Sequence, residues 1–260
     1  MSKMMHATVI ENKQIAQDIY DLRIHSLEQA AQAKAGQFLG IFTDSPAMLL
    51  PRPISICEID KAGGILRMIY RVVGGGTKEI ADIAAGETLR VLGPVGNGYA
   101  IDNSHRDIAI VGGGLGVPPL LQLAASIRKA NPEANIAVYL GFRDKSQVIL
   151  KEDFERYTSE VTICTDDGSC GINGNVFAAM PQNPKFDTVY GCGPKPMLAA
   201  LAKYAEAASL PCFVSVEEHM ACCVGTCLAC AVKAHEGENT VNKRACYDGP
   251  VFNAKELVWE

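Results

Sequence analysis

The chain has 260 residues, 48% of them hydrophobic, which is enough for a full core and for two domains with a small appendage. Its 24 Lys and Arg against 29 Asp and Glu give a formal charge of −5 and a pI near 5.6, arguing against the basic face that a nucleic-acid partner requires. Ten cysteines, with no apolar leader after Met1-Ser2-Lys3-Met4-Met5-His6, predict a cytoplasmic chain in a reducing compartment and exclude a secreted disulfide framework.

From Ala7 to about Asp102 the pattern is of short strands parted by turns: Ala7 to Ile10, Ile19 to His25, Phe38 to Phe42, Ile54 to Ile59, Ile65 to Val73 and Thr88 to Leu92. The fifth alternates, with Leu66, Met68, Tyr70 and Val72 on one face and Ile65, Arg67, Ile69 and Arg71 on the other. Six strands with no long helix between them predict an antiparallel β-barrel, and only Thr77 to Ala85 reads as helical. Two pieces of it carry chemistry. Arg52-Pro53-Ile54-Ser55 sets a guanidinium three residues from a hydroxyl on a stiffened backbone, where it can hold a phosphate. Gly74-Gly75-Gly76-Thr77 opens a helix whose exposed N–H groups suit an anion. Either alone is commonly structural; together they describe a pyrophosphate grip.

After Asn103-Ser104-His105 strands and helices alternate. Asp107 to Val111 reads as a buried parallel strand, followed by Gly112-Gly113-Gly114-Leu115-Gly116-Val117-Pro118-Pro119 and a helix from Leu120 to Lys129. The loop fits G-x-G-x-x-P and lacks the last glycine of the dinucleotide fingerprint. Ile108 to Ile127 carries no charge over a membrane-spanning length, but four glycines and two prolines in its middle predict strand, loop and helix instead. The next strand, Ile136 to Leu140, runs into Gly141-Phe142-Arg143, without the acidic residue that clasps a ribose. Strands at Val161 to Thr165 and Thr188 to Gly191 open into Asp166-Asp167-Gly168-Ser169 and Gly191-Cys192-Gly193-Pro194, before a helix from Pro196 to Ala208. Three glycine-bearing loops at the carboxyl ends of parallel strands predict a nucleotide cleft in a doubly wound α/β domain.

The tail carries Cys222, Cys227 and Cys230, C-x4-C-x2-C, answered fifteen residues on by Cys246. That is the plant-type spacing of a [2Fe-2S] site, and Gly225, Thr226 and Ala229 keep the loop small. A four-cysteine zinc site usually shows two C-x2-4-C pairs, which this spacing does not give. Cys223 is a spare thiol that could replace Cys222 with C-x3-C spacing. His219 reads as a surface histidine, Ala234 to Arg244 as a polar loop, and Val251-Phe252 as a last strand.

In this order the motifs resemble the ferredoxin-NADP reductase superfamily and, within it, the electron-transfer subunits of type B dihydroorotate dehydrogenase, over essentially the whole chain. The resemblance implies a six-stranded barrel over residues 1–102 for FAD, an α/β domain over 103–212 for NAD(H), and a [2Fe-2S] domain over 213–260. It assigns Arg52, Pro53, Ile54, Ser55, Ile69, Tyr70, Arg71, Gly76 and Thr77 to FAD, with Ser55 as the catalytic residue beside the reactive flavin nitrogen. Gly112, Gly113, Gly114, Gly116, Pro118, Gly191, Cys192, Gly193 and Pro194 would meet the nicotinamide cofactor, and Cys222, Cys227, Cys230 and Cys246 the cluster. The implied partner is an FMN-containing dihydroorotate dehydrogenase catalytic subunit, two of each kind forming a heterotetramer, with no membrane or nucleic acid involved. The chain departs from plant-type reductases in not ending on the aromatic residue that covers the flavin. Two rivals remain at this level: the small subunit of NADH-dependent ferredoxin:NADP oxidoreductase or sulfide dehydrogenase, where an aspartate commonly stands in place of Cys222, and a non-enzymatic zinc or iron-sulfur adaptor.

Overall fold

The computed structural model describes residues 3–259. The first unit is a closed antiparallel barrel of six strands, β1 (Lys3–Ala16), β2 (Ile19–His25), β3 (Phe38–Phe42), β4 (Arg52–Asp60), β5 (Ile65–Arg71) and β6 (Thr88–Val95), in the order β1-β2-β5-β4-β3-β6. Closure removes the sheet edges that such strands would otherwise expose. The alternation of β5 is real: Leu66, Met68 and Tyr70 fill the barrel with Val9, Leu22, Leu39, Ile41 and Val91. β1 is longer than the expected Ala7 to Ile10 because its two halves pair with different neighbours, the first with β6 and the second with β2.

Helix α1 (Leu27–Gln32) lies where no helix was expected. It plugs the barrel: Gln29 is buried and its side-chain amide donates to the carbonyls of Val91 (3.3 Å) and Gly93 (3.2 Å). Six residues are too few for periodicity to register, and the tertiary hydrogen bonds hold the helix instead. The expected helix from Thr77 to Ala85 is α2 (Gly75–Ala81), starting two residues and ending four residues earlier, because the Thr77 hydroxyl accepts the N–H groups of Val73 (2.9 Å) and Gly74 (3.2 Å) and so starts the helix at the glycines.

The second unit is built from β7 (Asp107–Gly113), α3 (Val117–Ala130), β8 (Asn135–Phe142), α4 (Lys151–Glu155), β9 (Val161–Thr165), β10 (Ile172–Asn173), β11 (Thr188–Cys192), α5 (Lys195–Ala207) and β12 (Cys212–Ser215). With β13 (Ala231–Glu236), β14 (Asn239–Arg244) and β15 (Val251–Asn253) the strands among the described residues are complete. The seven-stranded sheet runs β10-β9-β8-β7-β11-β12-β15, parallel except for β15. Strand order reverses at β7, so the loops after β7 and β11 flank the switch point where open α/β sheets bind ligands. The uncharged stretch resolves into β7, a short turn and α3, whose Leu120, Leu121, Leu123, Ala124 and Ile127 are buried; no helix among the described residues is long and apolar enough to cross a membrane.

The polar stretch from Ala234 to Arg244 is not a loop. It belongs to a hairpin, β13 against β14, turning at Gly237 (φ +63°). One face of it, Val232, Ala234, Val241 and Lys243, is only partly covered and the other is mostly exposed, so the alternation is too weak to stand out among polar neighbours. Only Ala234 is buried, and it pairs with Leu257 of the C-terminal segment.

Candidate functional site

A cavity of about 360 Å³ opens where barrel, sheet and cysteine loop meet. Arg52, Pro53, Ile54 and Ser55 from β4, Ile69, Tyr70 and Arg71 from β5, and Thr77 from α2 line it, as does Cys192 from the end of β11. Gly76 lies against Arg52: a Cβ there would lie 1.9 Å from Arg52 Nε, so the guanidinium rests directly on the Gly76 backbone. The guanidinium meets the Leu50 carbonyl and Met48 Sδ (3.1 Å), leaving its charge uncompensated by these partners and suited to an anion. Two expected contacts are differently disposed. Tyr70 forms part of the wall, but its ring stacks on Tyr20 and its hydroxyl donates to Asn12 Oδ1 at 3.1 Å. The Thr77 hydroxyl is occupied in starting α2.

A second cavity, of about 560 Å³, lies over the carboxyl ends of β7 and β8 and takes in Gly113, Gly114, Leu115, Arg143, Asp144, Gln147, Asp166 and Pro194. Arg71 and Leu115 border both cavities. The two glycine loops touch across the cleft, since a Cβ on Gly116 would fall 2.3 Å from the Cys192 carbonyl oxygen. Gly112, Pro118 and Gly191 line neither cavity. Gly112 packs under Val117 and Leu120, Gly191 under Leu201, and Pro118 is buried in the first turn of α3. Gly193 borders a further cavity of about 590 Å³ reaching to Trp259. Sequence reasoning missed Gln17, Asp18 and Ile19, which the β1–β2 junction places in the 560 Å³ cavity, and Ser215, Glu217, Glu218 and Met220, which wall the 360 Å³ one. His219 is exposed, as expected, and stands on the rim of that cavity.

The cysteine loop begins directly beyond this wall. Phe38 and Met220 border the 360 Å³ cavity and also pack with Cys223, Cys230 and Cys246. The cysteines stand as two pairs: the Cys227 N–H donates to Cys222 Sγ (3.5 Å), and the Cys246 N–H to Cys230 Sγ (3.5 Å). Among the described residues no three His, Cys, Asp or Glu side chains are gathered as a one-ion site. Two pairs of thiols match two irons. Desolvation opposes ionisation of Cys222, but the N–H groups of Val224 (3.4 Å), Thr226 (3.4 Å) and Cys227 (3.5 Å) and the Cys227 thiol outweigh it and hold its pKa down to about 6. A thiolate poised in this way is what a cluster requires. Cys223 is the opposite case: burial and the neighbouring thiols push it up to about 12, and its sulfur packs 3.6 Å from the Cβ position of Gly40 on β3.

Arg244 joins the two arms of the loop. It donates to the Gly225 carbonyl (3.1 Å), forms a fork with Asp248 (2.9 and 3.0 Å) and lies over the Tyr247 ring. Asn97 at the end of the barrel donates to the carbonyls of Tyr247 (3.2 Å) and Asp248 (3.1 Å), seating the Cys246 arm on the barrel.

Barrel, switch-point cleft and paired thiols define a class: an oxidoreductase with the ferredoxin-reductase fold and a C-terminal iron-sulfur unit. Phthalate dioxygenase reductase, 18% identical, shares this fold with a TM-score of 0.64 over 90% of this chain and 88% of its own. The structure described as an NADH-dependent reduced ferredoxin-NADP oxidoreductase is 31% identical, with a TM-score of 0.87 over 97% of this chain and 90% of its own. Residues 217–258 match the iron-sulfur cluster binding domain of dihydroorotate dehydrogenase B, and residues 110–203 the oxidoreductase NAD-binding domain. The dihydroorotate dehydrogenase B (NAD(+)) electron transfer subunit of Clostridium perfringens is 39% identical over 96% of each chain, and that of Streptococcus pneumoniae R6 38% identical over 99% of this chain and 100% of its own. The chain belongs to the family of dihydroorotate dehydrogenase B electron transfer subunits.

Proposed function

We propose that this chain carries electrons between NAD(H) and the FMN of a dihydroorotate dehydrogenase catalytic subunit, two copies of each forming a heterotetramer, and that its partner alone binds the pyrimidine. The observation that carries the reading is the sequence of shared walls: Arg71 and Leu115 between nucleotide and flavin cavities, Phe38 and Met220 between flavin cavity and thiols. Arg52 would hold the FAD pyrophosphate against Gly76, with Ser55 and Ile69 at the ring. The Gly113–Leu115 turn and Pro194 would receive the nicotinamide nucleotide. Cys222 with Cys227, and Cys230 with Cys246, would each take one iron. When bound, FAD converts a two-electron hydride into single electrons and the cluster relays them one at a time. The chain's own residues orient these groups and keep water from them: Phe38 and Met220 pack with the buried Cys230 and Cys246 as an apolar cluster. The functional division would follow residues 1–102, 103–212 and 213–260, the second boundary falling within β12, where β15 ties the cluster unit to the sheet. Ten free thiols suit the reducing cytoplasm.

The test is the full chain purified anaerobically. It is expected to carry flavin, iron and sulfide, to reduce an artificial acceptor with NADH, and to leave dihydroorotate untouched. Zinc in place of iron, or turnover of dihydroorotate by the chain alone, would end the proposal. The 0.87 TM-score supports a second reading, the small subunit of an NADH-dependent ferredoxin:NADP oxidoreductase. Co-purification separates the two: an FMN-bearing dihydroorotate dehydrogenase supports the first, a large flavoprotein with further clusters the second.

A further inference from the structure

We propose that the outward face of β5 is a two-point mount that fixes how the nucleotide domain sits over the flavin cavity, with Arg67 as its positioning residue. Arg67, Ile69 and Arg71 occupy successive outward positions on this strand. Ile69 lines the flavin-sized cavity, and Arg71 borders both cavities and donates to Gln147 Oε1 at 2.6 Å. Arg67 reaches across to Asp153 of α4, Nη1 to Oδ1 at 3.2 Å. Gln147 and Asp153 lie on either side of Leu150, a buried residue with φ +64°, where the chain folds back into α4. Asp144, Ser146, Gln147 and Ile149, in the same segment, wall the nucleotide cavity. A single strand therefore supplies part of one cavity and holds the wall of the other.

The Arg67 end is a closed network. Its Nε donates to Asp21 Oδ1 and Oδ2 (3.1 and 3.0 Å), Nη2 to Asp21 Oδ2 (2.8 Å) and Nη1 to Glu58 Oε2 (2.5 Å). From the nucleotide side Arg156 Nη2 closes the circuit onto Glu58 Oε1 (2.6 Å) and Asp153 Oδ1 (2.8 Å). Two of these ion pairs cross between the domains, Arg67–Asp153 and Glu58–Arg156. Asp21 is 1% exposed and Arg67 8%, so the barrel half is sheltered from salt. An exposed bridge between flexible side chains fixes little. A buried guanidinium engaged on both edges of its fork restrains angle as well as distance.

Hydride transfer needs the reacting atoms about 3–3.5 Å apart, and a misplacement of about 1 Å can cost on the order of a hundredfold in rate. The inference rests on the reductase reading above, and the experiment separates the two. In the flavin-loaded full chain, D153A/R156A removes both cross-domain pairs as a charge-neutral change and leaves Arg67 with Asp21 and Glu58. The expected result is normal flavin content and a melting temperature close to wild type, with NADH bleaching the flavin about ten- to a hundredfold more slowly in single turnovers. The long-wavelength charge-transfer absorbance of the NADH–flavin complex should fall, and hydrogen exchange over residues 145–155 should quicken. The single variant D153E is expected to restore the rate. Should the double variant fail to hold flavin, D153A alone is judged by the same criteria. Bleaching and charge-transfer absorbance equal to wild type would overturn the mount. A wild-type chain that NADH does not bleach would overturn the reductase reading, and the mount with it.

Discussion

Gly116 separates a steric requirement from a conformational one. A Cβ there would stand 2.3 Å from the Cys192 oxygen, 2.4 Å from its carbonyl carbon and 2.4 Å from Gly193 N, all backbone atoms of a loop anchored by β11. A normal contact is about 3.5 Å, so the two loops must part by about 1 Å in Gly116→Ala. Overpacking of this kind costs about 1–3 kcal/mol, and at this chain length each kcal/mol lowers the melting temperature by about 2–4 °C. The same displacement opens the junction between the nucleotide and flavin cavities, so NADH-dependent flavin reduction should slow by about a hundredfold. For stability alone Gly114→Ala is the comparison: no protein atom lies within 4 Å of its Cβ position, and the left-handed φ of +54° opposes the change at about 1–2 kcal/mol. Thermal denaturation of both variants and single-turnover flavin reduction by Gly116→Ala decide the matter. If Gly116→Ala melts and reacts like wild type, the close approach of the loops is not what sets the site.

Arg52→Ala should weaken FAD by about ten- to a hundredfold, the effect of losing charge-assisted hydrogen bonds worth about 1.5–3 kcal/mol, and Arg52→Lys should recover only part of it; flavin fluorescence titration measures both. In the iron-free chain Cys222 should be alkylated with a midpoint near pH 6, losing reactivity as the thiolate is protonated below that value, whereas Cys223 stays unmodified at neutral pH. Since folding lowers the Cys222 pKa from 9.0 to about 6, its contribution to iron-free stability is complete at alkaline pH and declines as pH falls through that window; denaturant titrations across it check the sign. Cys222→Ser should abolish the cluster absorbance and Cys223→Ala retain it, and the reverse result would exchange their roles.

What the sequence by itself determined is local and periodic. Residues two apart on β5, the 3.6-residue stripe of α3 and the C-x4-C-x2-C spacing each specify their outcome within one element, so barrel strands, sheet strands and the ligand-type loop were legible before any packing was known. The tertiary structure alone decided the rest, because burial depends on what arrives from elsewhere in the chain. Cys222 and Cys223 are adjacent and chemically identical; the left-handed Cys223 (φ +58°) turns one thiol toward β3 while backbone N–H groups gather round the other. Helix α1 exists because barrel carbonyls accept Gln29, and the hairpin β13–β14 hides in a polar stretch because Ala234 alone in it is fully buried, with Val232 and Val241 only partly covered. Glu218 and Met220 line a cavity for no reason visible in their neighbours; they are carried there by the chain's passage from β12 to the cysteine loop. The sequence sets Arg67 on the β5 face opposite Leu66, Met68 and Tyr70, and it is buried there because a second domain closes over that face.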